Sequence, residues 1–120
     1  MSIGVASVQN SKKFYDAALG ALGYRCLSQD DSSLGYGAMS AIFWLYAAKD
    51  LKAGDARPGM HVCFDAKSTE AVDKFHAAGL KGGGKDNGAP GVRKDYSPTY
   101  YAAFLVDPDG YMVEAYCEKR

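Results

Sequence analysis

Apolar and polar positions follow two rhythms along the chain, and the rhythms occur in the same order twice. Ser2 to Val8 is small and β-branched, which predicts a strand. Phe14, Tyr15, Ala18, Leu19 and Leu22 then recur at helical spacing behind Asn10-Ser11, which reads as the cap, and Gly20 and Gly23 mark the helix end. Tyr24 to Ser28, Leu34 to Met39 and Ala41 to Ala48 are short, aromatic-rich runs separated by Asp30-Asp31-Ser32-Ser33 and by Ser40, which predicts three antiparallel strands.

Lys49 to Gly59 is charged and rich in Gly, Ala and Pro, and has linker character. Met60 to Ala66 alternates as a strand. Ser68 can cap a helix with Glu70 in its first turn, and Ala71, Val72, Phe75 and Ala78 line one stripe of it. The glycine-rich stretch from Lys81 to Thr99 leaves room for at most a short strand near Lys81 to Lys85 and otherwise predicts a long loop. Tyr100 to Val106 and Tyr111 to Cys117 flank Asp107-Pro108-Asp109-Gly110, a hairpin signal in which Pro presets one turn residue and Gly supplies positive φ.

Sliding Phe14 onto Phe75, an offset of 61, also pairs Ile3 with Phe64, Ala17 with Ala78 and Leu19 with Leu80. The closing strands pair without a fixed offset, AIFWLYA over YMVEAYC, which lays Trp44 opposite Glu114 and Tyr46 opposite Tyr116. The pattern is a duplicated βαβββ unit in one α+β domain: module one over about 1–50, a linker over about 51–58 and module two over about 59–120.

The chain of 120 residues is 48% apolar and carries 14 basic and 14 acidic residues. A neutral balance gives no electrostatic footprint for nucleic acid or an anionic membrane, so the expected partner is a small molecule or another protein. Cys26, Cys63 and Cys117 stand singly inside apolar segments, without zinc or redox spacing, and read as buried thiols in a reducing compartment. With no membrane-length apolar run and no signal-peptide pattern, the expected location is the cytoplasm.

SIGV followed by SKKFYDAALGALGYR, then GMHVCFDA, then YYAAFLVDPDGYMVEAY resemble the vicinal oxygen chelate superfamily, which includes glyoxalases, bleomycin-resistance proteins and extradiol dioxygenases. The resemblance covers nearly the whole chain. It implies two modules forming a curved mixed sheet with a concave cavity, usually in a homodimer. It also implies a divalent ion held by His or Glu on the first and last strands of each module. Module two supplies His61 and Glu114, ligand types suited to Zn, Ni, Mn or Fe. In module one the offset places the counterpart of His61 ahead of Met1, and Trp44, with no lone pair to offer, stands opposite Glu114. The ligand set is incomplete; an upstream start, the Met1 amino group, or a ligand from the glycine-rich stretch such as Asp86 or Asp95 could complete it.

Met112, Glu114 and Tyr116 share one strand face against Val113 and Ala115, which turns the Glu114 carboxylate away from the helix-packed side. Without a metal, His61 and Glu114 can pair, with Glu114 as a general base for proton abstraction beside a carbonyl. Two functions therefore stand: a divalent-metal lyase, isomerase or dioxygenase working through His61 and Glu114, or a metal-free protein that sequesters a small molecule. Tyr36, Trp44 and Tyr100 are expected to line the cavity for a flat ligand, and Arg93 and Tyr96, on the long loop, to bind it, Arg93 as a clamp for carboxylate or phosphate. Gly79, Gly84 and Lys85 mimic the start of a phosphate-binding loop, but Asp86 follows and the strand, loop, helix order is missing. His76 is expected on the sheet-distal side of its helix and is a poor ligand.

Overall fold

The computed structural model describes residues 1–48 and 61–119. The linker expected over 51–58 lies outside the described residues. Module one runs β1 (Ser2–Val5), α1 (Val8–Gly20), β2 (Arg25–Gln29), β3 (Ser33–Gly37) and β4 (Phe43–Ala47). Module two runs β5 (His61–Asp65), α2 (Thr69–Lys81), β6 (Lys85–Val92), β7 (Tyr100–Val106) and β8 (Met112–Glu118). Each module is a four-stranded mixed sheet, β1-β4-β3-β2 and β5-β8-β7-β6, in which the first strand lies parallel to the last.

The repeat holds in the two helices and in the pairing of the first strand with the last. Ser7 caps α1 through Asn10 N–H and Ser68 caps α2 through Ala71 N–H, so both caps and both helices keep the offset of 61. The expected cap at Asn10-Ser11 is corrected by one turn, because β1 already ends at Val5 and Ser11 is buried inside the helix against Asp109. Ser2 pairs with Trp44 as Cys63 pairs with Glu114, which confirms that Trp44 occupies the position of Glu114.

The glycine-rich stretch differs from expectation. It forms an eight-residue strand, β6, paired with β7 through two register shifts, one on each side of Gly88. Pro90 is tolerated because β6 is an edge strand, and the irregularities absorb the glycines that otherwise signal a loop.

Each helix covers one face of its own sheet and the two helices pack on each other, with Phe14, Tyr15, Leu19, Leu45, Phe75, Leu105 and Val113 fully buried. Phe43 meets Phe64 edge-on across the modules at 5.2 Å. The turn at 107–110 also crosses between them. Tyr15 donates to Asp107 Oδ2 at 2.5 Å, Ala6 N–H donates to Asp109 Oδ1 at 3.1 Å, and Tyr111 donates to the Gly4 carbonyl at 2.8 Å. Asp107 and Asp109 are 3% and 2% exposed, and burial pushes both carboxyls above the ordinary range.

Candidate functional site

The pleat divides module two into a helix-facing set and an outward set. Val113, Ala115 and Leu105 pack under α2, whereas His61 and Cys63 on β5, Glu114 and Tyr116 on β8, and Tyr100 and Phe104 on β7 share the other face. Glu114 lies at the centre of that face, 2% exposed. His61 Nε2 lies 2.8 Å from Glu114 Oε1, and the Tyr100 hydroxyl donates to Oε2 at 2.5 Å. An ionised carboxylate only accepts, so Nε2 carries the proton and Nδ1 is left for solvent or a ligand.

Burial and then the bond to Glu114 raise the Tyr100 hydroxyl above its ordinary value, so it stays a protonated donor at neutral pH. Of the three cysteines expected to be buried only Cys117 is; Cys26 is half-buried, and Cys63 is exposed because its strand position has outward parity. The Cys63 thiol is pushed up to about 12, first by desolvation of its sulfur and then by the Glu114 charge, which keeps it protonated. Tyr100 stacks on Tyr116 with centroids 4.2 Å apart, Tyr96 meets Tyr100 edge-on at 4.9 Å, and Phe104 touches the His61 ring at 6.2 Å. The result is a buried carboxylate with two partly exposed donors inside an aromatic frame.

The other expected site residues divide. Arg93 and Tyr96 join this face, through Phe104 and Tyr100. Tyr36 does not. It is 1% exposed, points toward α1, donates to Asp16 and packs on Tyr15, because its strand position has helix-facing parity. Trp44 lies on the outer face of the other sheet, its indole spread over Gly35 and stacked on Tyr46. Asp86 is turned to the helix side, where it bonds His76 at 2.8 Å, so it is not near His61 and His76 is not sheet-distal. Met1 gives its amino group to the Ile42 carbonyl. Phe104 escaped the sequence reading, although counting in twos from Tyr100 finds it; the strand pattern places Tyr116 on the Glu114 face without marking it as a site residue.

His61 Nε2 and Glu114 Oε1 are spaced like adjacent ligands of one ion, since bonds of about 2.1 Å at right angles put donors about 3 Å apart. Such a site needs at least three protein ligands, and the described residues contain no group of three His, Cys, Asp or Glu able to hold an ion. Among the described residues, His61 and Glu114 therefore stand as two donors without a third, too few to hold a resident divalent ion by themselves.

Fold and site together define a duplicated βαβββ protein with a carboxylate-centred site on one open sheet face. No family model matches the chain, nor does any curated protein. Among solved structures it is similar to a glyoxalase/bleomycin resistance protein from Albidiferax ferrireducens T118, with 34% identity, a TM-score of 0.81, and coverage of 96% of this chain and 92% of that one. The chain belongs to the glyoxalase/bleomycin resistance protein family, within the vicinal oxygen chelate superfamily. Two more distant structures share the fold. One is a glyoxalase-related enzyme from Fulvimarina pelagi (12% identity, TM-score 0.76, covering 97% and 84%). The other is a glyoxalase/bleomycin resistance protein/dioxygenase family enzyme from Burkholderia phytofirmans PsJN (17%, 0.72, covering 97% and 94%).

Proposed function

We propose that the protein binds a small molecule on the His61, Glu114 and Tyr100 face without a resident metal. The observation that supports this is Glu114 itself: a carboxylate 2% exposed, desolvated at a cost, yet held by two side chains, His61 and Tyr100, that are themselves partly exposed to a ligand. A purely structural strand has no use for that arrangement on a face that no helix covers. Elemental analysis of tag-free protein, before and after incubation with Zn, Ni, Mn and Fe, tests the metal-free part. Near-stoichiometric metal that is lost in Glu114→Gln refutes it.

A second reading, a lyase or isomerase, is favoured by the short Tyr100 to Glu114 bond, which sets a base beside a proton donor. Glu114 would take a proton from carbon next to a carbonyl while the Tyr100 hydroxyl donates to the carbonyl oxygen as it gains charge. Solvent deuterium exchange into such a substrate, abolished in Glu114→Gln, is the expected result; exchange that survives the substitution excludes the role.

Module one exposes Met39, in the turn between β3 and β4, Ile42, just before β4, and Tyr46 beside Trp44 on the outer face, at 98%, 57% and 48%. We propose that a second copy covers these faces, as a homodimer, and sedimentation equilibrium tests it. No described helix is long and apolar enough to cross a membrane, and three free thiols fit the reducing cytoplasm.

A further inference from the structure

Arg93 is the most constrained cation on the ligand-facing side. Its Nη1 donates to the Gly91 carbonyl at 3.1 Å and its Nη2 to the Ala89 carbonyl at 2.7 Å, and its guanidinium carbon lies 5.1 Å from the centre of the Phe104 ring. Room for the fork comes from glycine. A Cβ at Gly88 would stand 3.1 Å from Nη2, and one at Gly91 3.3 Å from Nη1. The register shifts of β6 fall at these residues, so the same irregularity that frees the carbonyls also clears the space. Arg93 nevertheless forms no ion pair with a described residue. Two of its five N–H groups are used and three remain. A rigid, unneutralised guanidinium against Phe104, which itself touches His61 and pairs with Glu114, is a fork prepared for an anion.

We propose that the ligand is a flat molecule bearing one carboxylate, with the carboxylate held by Arg93 and the plane laid against the stacked Tyr100 and Tyr116 rings. This rests on the reading of the Glu114 face as the binding site. A doubly charged phosphate is a poorer match, because Asp65, Glu114 and Glu118 share that face and repel it.

The test is amide NMR titration of the full chain with 2-hydroxybenzoate, benzamide and phenyl phosphate, on wild type, Arg93→Gln, Arg93→Lys and Glu114→Gln. Expected are shifts around Arg93, Phe104 and Tyr100, with 2-hydroxybenzoate binding at least tenfold tighter than benzamide. Arg93→Gln should erase that preference, the loss falling mainly on 2-hydroxybenzoate. Arg93→Lys, which keeps the charge without the fork, should retain part of it, and this decides the matter if the Gln variant is disturbed in fold. Equal binding of acid and amide, or an unaltered preference in Arg93→Gln, overturns the inference, as does tighter binding of phenyl phosphate. If benzamide shifts the Glu114 face and loses affinity in Glu114→Gln while charge is irrelevant, only the carboxylate inference falls. If none of the three probes shifts that face, the site reading falls with it.

Discussion

Replacing Glu114 with methionine is expected to leave the fold as stable as before or to strengthen it, whereas Tyr100→Phe, the smaller chemical change, should weaken it. Glu114 is 2% exposed and both its oxygens are bonded, so the folded state bears the cost of desolvating a carboxylate. Methionine has similar length, removes that cost and fills the same space, while His61, 38% exposed, and the half-buried Tyr100 regain water. Replacement of buried charge by an apolar side chain of matched volume is neutral or stabilising by about 1–4 kcal/mol, and the accessible partners place this case near about 0–2. Tyr100→Phe keeps the ring on Tyr116 but strands Oε2 of a buried carboxylate, at about 1–3 kcal/mol. In the double variant that cost should vanish, giving a coupling of the same size. Urea denaturation of the four proteins measures it. A loss above about 2 kcal/mol in Glu114→Met, or an equal cost of Tyr100→Phe in both backgrounds, would falsify the argument that Glu114 is kept for binding and not for the fold.

Gly35→Ala would set a Cβ 2.7 Å from the Trp44 ring, so the indole must lift off the sheet; a red shift of the single tryptophan's emission and a loss of about 1–3 kcal/mol are expected, and an unchanged spectrum would show the contact to be absent. Burial raises the folded-state pKa of Asp109, so its contribution to stability is complete below the unfolded value near 3.8 and is lost as pH rises through the raised one. The stability of wild type relative to Asp109→Asn should therefore fall as pH goes from about 4 to 7, and a difference that grows with pH contradicts the buried geometry. With its thiol at about 12, Cys63 is about one part in ten thousand thiolate at pH 8. Iodoacetamide labelling followed by peptide mass spectrometry should find it slow in wild type and several-fold faster in Glu114→Gln, and equal rates would break the link between sulfur and carboxylate.

Much of this was readable because the chain states it twice. The helices and the parity of Glu114 followed from periods of 3.6 and 2 and from the offset of 61, and the equivalence of Trp44 with Glu114 from laying the closing strands over each other outside that offset. What escaped was set by partners distant in sequence. Strand β6 is made by its ladder with β7, against the local preference of KDNGAPGV. Tyr36 is aromatic and on a strand, like Tyr100, and only its pairing with Phe43 shows that it faces α1. The latch of Asp107 and Asp109 onto Tyr15, Ser11 and Ala6 looked like turn chemistry alone, since nothing local tells a turn carboxylate that it will be buried against another module.

The duplicated frame also explains why only one module carries the polar site. In module one the registered pair is Gly35 with Trp44, small on the third strand and large on the last; in module two it is Phe104 with Glu114, large on the third and polar on the last. The bulky ring has changed strands. Where tryptophan takes the last-strand position, its indole needs a glycine beneath it and leaves an apolar plate stacked on Tyr46. Where phenylalanine takes the third-strand position, the last strand is free for a carboxylate, and the ring lends one contact to His61 and one to Arg93. Gly88, in register with Phe104 on the outer strand, is then required for the guanidinium that lies over that ring. One exchange of large and small across a strand pair thus separates an apolar plate from a charged face, with the opposite face of both sheets still packed as core.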